Sequence, residues 1–337
     1  MTNDVAPLLL SFILSLVLTP LFGACARRLG WVAKPKSDRW HTRPTALMGG
    51  GAFFIAVLIS YFFAARSFPN ANVLLLGSTW LFVVGLIDDL VRIRPYQKLV
   101  GQVLGAAWII SQGMALHWMD LPWLNVGLTF FWVVGITNAF NLLDNMDGLA
   151  AGIAGIASLF FAGRFAWHGQ LDQALFYGIL AMALLAFLVY NFNPASIFMG
   201  DSGAMFIGFT LASAALLPIS QSDADGNFVR IAAPILMMSV PIFDTTLVTV
   251  CRIRNGRAVS QGGRDHSSHR LVALGLSERQ AVLVLYSIAM ISGLLSLFLD
   301  QIAFGLSAFL LAAYGLLLVG FGWFLGRVAV YASKTGN

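Results

Sequence analysis

Long apolar runs alternate with short polar joints along the whole chain. At about 17–25 residues per crossing, the pattern predicts eleven membrane-spanning helices, over residues 5–24, 48–65, 72–88, 98–115, 121–140, 148–164, 173–191, 203–219, 229–251, 280–299 and 302–324. Only Asp300-Gln301 separates the last two. No soluble-looking insert interrupts the series, so residues 1–337 are expected to form one all-α domain, a polytopic membrane helical bundle. The first run lacks a basic leader and a small-residue cleavage motif, which predicts a retained span and not a removed signal.

Composition agrees. Hydrophobic residues make up 58% of the chain and charged residues 10%, against about 25% charged in soluble domains. The few charges are sorted by side. Of the 20 basic residues, 17 fall on connections after odd-numbered spans, among them Arg27, Arg28, Lys34, Lys36, Arg92, Arg94, Lys98, Arg252, Arg264 and Arg270. The exceptions are Arg66, Arg164 and Arg230. The excess of basic residues on cytoplasmic loops predicts an outer N-terminus and a cytoplasmic C-terminus. Topology accounts for the net charge of +5, so no nucleic-acid partner is implied. Two cysteines, Cys25 and Cys251, offer no disulfide framework.

The candidate chemistry lies on the same predicted face. Asn138, Asn141, Asp144 and Asp147 recur every third residue at the end of an apolar run. On a helix that spacing gathers them on neighbouring parts of one face. Such a cluster is costly beside lipid unless it meets water, a cation or a polar ligand. Asp88-Asp89 closes the third span, where adjacent carboxylates repel and recruit a cation or raise one pKa; Arg92 and Arg94 could equally neutralise a solvated helix end. Asp201 stands between Gly200 and Ser202-Gly203, as a ligand-facing turn or an ordinary helix cap. His266, His269 and Arg270 follow Gly262-Gly263-Arg264-Asp265, a loop that suits phosphate oxygens or is simply solvated. Zinc is disfavoured there because no cysteine lies nearby. Lys98 and Gln102, one turn apart, could hold a phosphate or reach to lipid headgroups. His41 with Pro44 and Gly49-Gly50-Gly51 reads as a turn entering a tightly packed span. Carboxylates for a cation, basic groups for phosphates and Gly-rich turns on one face are the parts of a phosphoryl-transfer site.

These motifs, in this order, resemble those of the polyprenyl-phosphate N-acetylhexosamine-1-phosphate transferases of glycosyltransferase family 4. The resemblance runs from Pro35 to Leu276 and, with eleven spans, is nearest the branch that uses UDP-N-acetylglucosamine. It implies a bacterial inner-membrane enzyme with a cytoplasmic active site. Polyprenyl phosphate, undecaprenyl phosphate above all, would attack the β-phosphorus of a UDP-sugar and release UMP, initiating a cell-envelope glycan such as an O-antigen. Mg²⁺, or Mn²⁺ in its place, is the implied cofactor.

By position, the resemblance makes Asp201 the chief metal ligand, with Asn141 beside it, and gives Asp88 and Asp89 the lipid phosphate, one as base or nucleophile. Lys98 would face the acceptor phosphate. Asp147 and Asn191 would hold uracil, with Phe198 stacked on it. His266 and His269, counted among the catalytic groups, and Arg270 would face the diphosphate and sugar. His41 and Asp144 join the substrate-binding set without a defined contact.

Two positions depart from the family pattern. Asn145 stands where Gly is usual, with the same left-handed turn expected, and Ser268 interrupts a His-x-His-His run. The alternatives are a secondary transporter, which would place acids at the bilayer midplane within internal repeats, or another UDP-N-acetylhexosamine, such as UDP-N-acetylmuramoyl-pentapeptide, within the family. A homodimer is left open.

Overall fold

The structure is a computed structural model describing residues 2–33, 44–219, 226–259 and 262–330. His41 and the tail around Lys334 lie outside the described residues. Thirteen α-helices appear among those described: α1 (Thr2–Leu29), α2 (Gly49–Ala64), α3 (Ala71–Val91), α4 (Pro95–Ser111), α5 (Pro122–Leu143), α6 (Leu149–Trp167), α7 (Leu171–Asn191), α8 (Gly200–Ala214), α9 (Gly226–Met237), α10 (Ser239–Arg254), α11 (Ser267–Ala273), α12 (Glu278–Phe298) and α13 (Phe304–Gly326). A two-residue antiparallel ribbon, β1 (Val32–Ala33) with β2 (Thr45–Ala46), is a small addition to the expected all-α class.

Every predicted apolar run is helical, but the helices differ in what they can cross. Among the described residues, seven are long and apolar enough for a membrane: α1, α3, α5, α6, α7, α12 and α13. The number is eight if α9 and α10 form one span, bent by 75° at its break. Helices α2, α4 and α8 have 16, 17 and 15 residues. At 1.5 Å per residue they fall short of a hydrocarbon core of about 30 Å.

Helix α8 shows why shortness is tolerated. Every residue from Ser202 to Ala214 is buried, so it meets protein and not lipid. It packs against α2, α3 and α5. Two of its hydroxyls are satisfied within the helix: Thr210 Oγ1 donates to the Phe206 carbonyl at 2.7 Å and Ser213 Oγ to the Phe209 carbonyl at 2.8 Å. At the other extreme, α13 buries only Ser307 and Leu325, leaving an apolar cylinder suited to lipid.

The approach of α8 to its neighbours depends on glycine. A Cβ on Gly85 of α3 would lie 2.4 Å from the Asp201 carbonyl oxygen, and one on Gly50 of α2 would lie 2.4 Å from the Gly203 nitrogen. Both obstacles are backbone, which cannot rotate aside. Gly85→Ala is therefore expected to push α3 from α8 and lower stability by about 1–3 kcal/mol, read as a fall in Tm in detergent. Gly135→Ala, with nothing within 4 Å, should leave Tm unchanged or raise it slightly. Equal effects from the two would contradict the packing.

Candidate active site

Three helix ends converge on one group of charges. Helix α3 stops at Val91 because Arg92 takes a left-handed conformation (φ 57°). The turn is closed by Asp88, whose carbonyl accepts from Arg92 N at 2.9 Å and whose Oδ1 accepts from Ile93 N at 2.8 Å. Pro95 then begins α4, and Gln97 caps it by accepting from Arg94 N. This tight reversal sets Lys98 beside the end of α3. Its ammonium bridges two carboxylates, 2.7 Å from Asp88 Oδ2 and 2.6 Å from Asp201 Oδ2.

Asp89 has a different task. Its two oxygens accept from the backbone N–H groups of Asp201 (2.8 Å) and Ser202 (3.0 Å). A helix start leaves such donors unpaired, and a carboxylate there also suits the positive end of the helix dipole. Asp89 thus seats α8, and Asp88 faces the charge cluster.

Helix α5 supplies the carboxamides. Asn138 and Gln102 exchange reciprocal hydrogen bonds of 2.7 and 3.2 Å, locking α4 to α5. One turn further, Asn141 Nδ2 donates to Asp201 Oδ1 at 2.7 Å. The three-residue pattern does not continue on this face. Helix α5 ends at Leu143, Asp144 is its C-cap, and Asp147 lies in the turn before left-handed Gly148.

Around Asp147 a second constellation forms. Its Oδ2 accepts from Ala195 N at 2.8 Å. Asn193 donates to Glu278 Oε2 at 2.8 Å, while its carbonyl accepts from Arg279 Nε at 2.9 Å. Asn191 is buried and donates to the Ile197 carbonyl at 2.9 Å. Phe198 is half-buried, held by its backbone between Ala46 and Gly49. Asn191 and Phe198 therefore lie on the segment 191–199, and Asp147 is hydrogen-bonded to it through Ala195.

The histidine loop contains a helix that the pattern did not predict, α11. His266 is its N-cap, and Asp244 of α10 holds it by accepting from Ser267 N and approaching His266 Nδ1, each at 2.7 Å. Arg252 makes a bidentate, buried pair with Asp265 at 2.8 and 2.7 Å. Ser268 Oγ donates to Asn145 Oδ1 at 2.7 Å, tying α11 to the α5–α6 turn.

One expectation needs correction. Asn145 is not left-handed; its value to the turn is the side chain, which reaches both Ser268 and the Leu142 carbonyl. Arg270, which the resemblance sets at the diphosphate and sugar, uses Nε and Nη1 on backbone carbonyls. It is 1% exposed, and its guanidinium donates to the carbonyls of Asp265, Leu325 and Val328, docking the end of α13. Asp244 carried one signal in the sequence, a carboxylate inside an apolar run. The Arg252–Asp265 pair and Ser268–Asn145 carried none, because their partners are distant or weakly distinctive.

The donor set suits a hard cation. Among the described residues no three His, Cys, Asp or Glu side chains form a ready-made metal cage. Mg²⁺, however, is commonly held by one or two carboxylates with water and phosphate oxygens completing its shell. Asp201, Asp88 and Asn141 fit that mode, with Lys98 already showing that the pocket accepts positive charge.

Comparison with known proteins is consistent with this arrangement. Residues 71–219 match the model of glycosyl transferase family 4. A Bacillus subtilis protein named a probable undecaprenyl-phosphate N-acetylglucosaminyl 1-phosphate transferase is 32% identical over 321 residues, covering 92% of this chain and 89% of its own. The decaprenyl-phosphate N-acetylglucosaminephosphotransferase of Mycobacterium tuberculosis is 35% identical over 299 residues, 77% and 74% of the two chains. A phospho-N-acetylmuramoyl-pentapeptide-transferase of Geobacillus kaustophilus is 30% identical over 322 residues, 86% and 95%.

The α11 face carries a pH signature. Burial pushes the His269 pKa down to about 4 from 6.5, with repulsion from His266 next in size. The folded ring is neutral between these values, whereas the unfolded ring is protonated below 6.5. Stability is therefore lost as pH falls from about 6.5 toward 4, on the order of 3 kcal/mol across the window. Thermal unfolding of wild type and His269→Gln between pH 7.5 and 4.5 checks this: wild type should lose more Tm than the variant. A parallel decline would contradict it.

Proposed function

Because the chain belongs to glycosyl transferase family 4, we propose that it moves an N-acetylhexosamine 1-phosphate from a UDP-sugar to a polyprenyl phosphate and releases UMP. N-acetylglucosamine is the preferred sugar, since two of the three relatives described above are named for it. The acceptor is undecaprenyl phosphate or a relative of different length, and the product starts a cell-envelope glycan. The observation that carries the reading is the Asp88–Lys98–Asp201 cluster at the ends of three helices.

The reaction exchanges one phosphoanhydride for another. An oxygen of the acceptor phosphate attacks the β-phosphorus, the bond from that phosphorus to the bridging oxygen breaks, and UMP leaves with the electron pair. Nothing is oxidised or reduced. Both substrates are anionic, so the main obstacle is electrostatic. Mg²⁺, held by Asp201 with Asn141 and Asp88, would neutralise the diphosphate. Lys98 exchanges its carboxylate partners for the acceptor phosphate and draws it to the end of α3. Asp88, held by Ile93 N on one oxygen, receives the acceptor's proton if it arrives protonated. Asp89 keeps α8 in register. His266 and His269 face the donor diphosphate and sugar, and Asp147 with Asn191 and Phe198 of the neighbouring segment takes the uridine, with the Phe198 ring as its stacking surface.

The lipid acceptor also fixes where the site must lie. We read residues 1–337 as one transferase domain with eleven passes through a bacterial plasma membrane, N-terminus outside and site on the cytoplasmic face. The asymmetry of Lys and Arg supports this orientation. Acids gathered at one membrane face, together with family membership, argue against a transporter.

Purified protein with Mg²⁺, undecaprenyl phosphate and a panel of UDP-sugars should release UMP, fastest with UDP-N-acetylglucosamine, and should stop when the cation is chelated. UMP with UDP-N-acetylmuramoyl-pentapeptide alone would move the chain to the other branch. No UMP from any donor would overturn the proposal.

A further inference from the structure

Asp244 makes no contact with the Lys98 cluster, yet it is among the most heavily engaged carboxylates in the protein. It is 1% exposed. Oδ1 accepts from Ser267 N at 2.7 Å and from Ser267 Oγ at 2.6 Å, and Oδ2 lies 2.7 Å from His266 Nδ1. Capping α11 requires only the contact with Ser267 N, and such caps usually come from the residue just before the helix. Here the carboxylate arrives from α10, 22 residues earlier than His266, and spends a full oxygen on the imidazole.

That contact decides which ring nitrogen is available. An ionised carboxylate can only accept, so Nδ1 must carry the hydrogen. Nε2 is then the variable atom: a lone pair in the neutral ring, a second N–H in the charged one. Among the described residues, no other group hydrogen-bonds the His266 ring. His269 packs edge-on against it, with centroids 5.6 Å apart. The ring is thus held on one side by charge and on another by shape, and neither contact uses Nε2 as a hydrogen-bonding atom.

We propose that Asp244 is the positioning residue of His266, fixing the ring with Nδ1–H on the carboxylate and reserving Nε2 for the diphosphate of the donor substrate. The part concerning substrate rests on the transfer reading above; the fixed tautomer does not. Asp244 itself touches no reacting atom and acts through His266.

The test has one arm that needs neither activity nor a variant of Asp244. Nitrogen-15 NMR of histidine-labelled wild-type protein, with His266 assigned through His266→Gln, should show a ring protonated at Nδ1. An Nε2-only protonated ring would overturn the proposal even if the enzyme is fully active. In the second arm, Asp244→Asn should slow kcat by on the order of 10²-fold while leaving KM for the UDP-sugar within about twofold. Added to His266→Gln, it should cost nothing more, because the residue it acts through is gone. Losses that multiply in the double variant would show that Asp244 only supports the fold, and the proposal would fail. If no donor yields UMP, the transfer reading falls and the NMR arm still decides the Asp244–His266 contact.

Discussion

The seating of the first turn of α8 on the end of α3 is the interaction on which the site depends. A helix start leaves backbone donors without partners. Asp89 takes two of these donors, from Asp201 and Ser202. The contact is close enough that Gly85 and Gly50 cannot carry a side chain. Once α8 is fixed in this way, the Asp201 side chain has only one neighbourhood, that of Lys98 and Asn141. Backbone satisfaction and charge placement are therefore one construction.

The charge cluster is poised for exchange. Lys98 divides its ammonium between Asp88 and Asp201, and all three side chains keep some contact with the surface, from 11% to 32%. Ion pairs with this access to water contribute little to stability, so under the proposed function an incoming phosphate would replace one carboxylate at small cost. The histidine helix is built in the opposite way. Asp244, Arg252, Asp265 and Arg270 are nearly inaccessible and hydrogen-bonded within the protein, which ties α11 to α10 and to the end of α13. The Ser268–Asn145 hydrogen bond connects the two sides, since Asn145 follows Asn141 by one turn's length of chain.

Much of this could be read from the sequence, within definite limits. Apolar run length located the long helices of the bundle, because burial or lipid contact imposes the same composition over many residues, but not the short α11. The division of labour between Asp88 and Asp89 could not be read: adjacent residues on a helix point about 100° apart, and only the position of α8 tells which one meets its N–H groups. The three-residue spacing of Asn138 to Asp147 suggested one helical face, but α5 stops at Leu143, so Asp144 and Asp147 belong to a turn with other partners. The backbone contacts of Arg270 could not be read either, because its carbonyl acceptors at the end of α13 and just beyond it lie 55 and 58 residues away. Asn145 and Ser268 each looked like a departure from a pattern. Only in three dimensions are they one contact.

The central claim is that Asp89 holds the fold and Asp88 meets the chemistry. Comparing Asp88→Asn with Asp89→Asn, by Tm in detergent and by UMP release, tests it most directly. Asp88→Asn should keep Tm within about 2 °C of wild type, since the pair it breaks is partly exposed, and lose at least about 10²-fold in kcat/KM. Asp89→Asn should lower Tm by several degrees, because its amide group would oppose a backbone N–H that needs an acceptor. An Asp89→Asn protein of unchanged Tm beside an Asp88→Asn enzyme of undiminished activity would contradict the account.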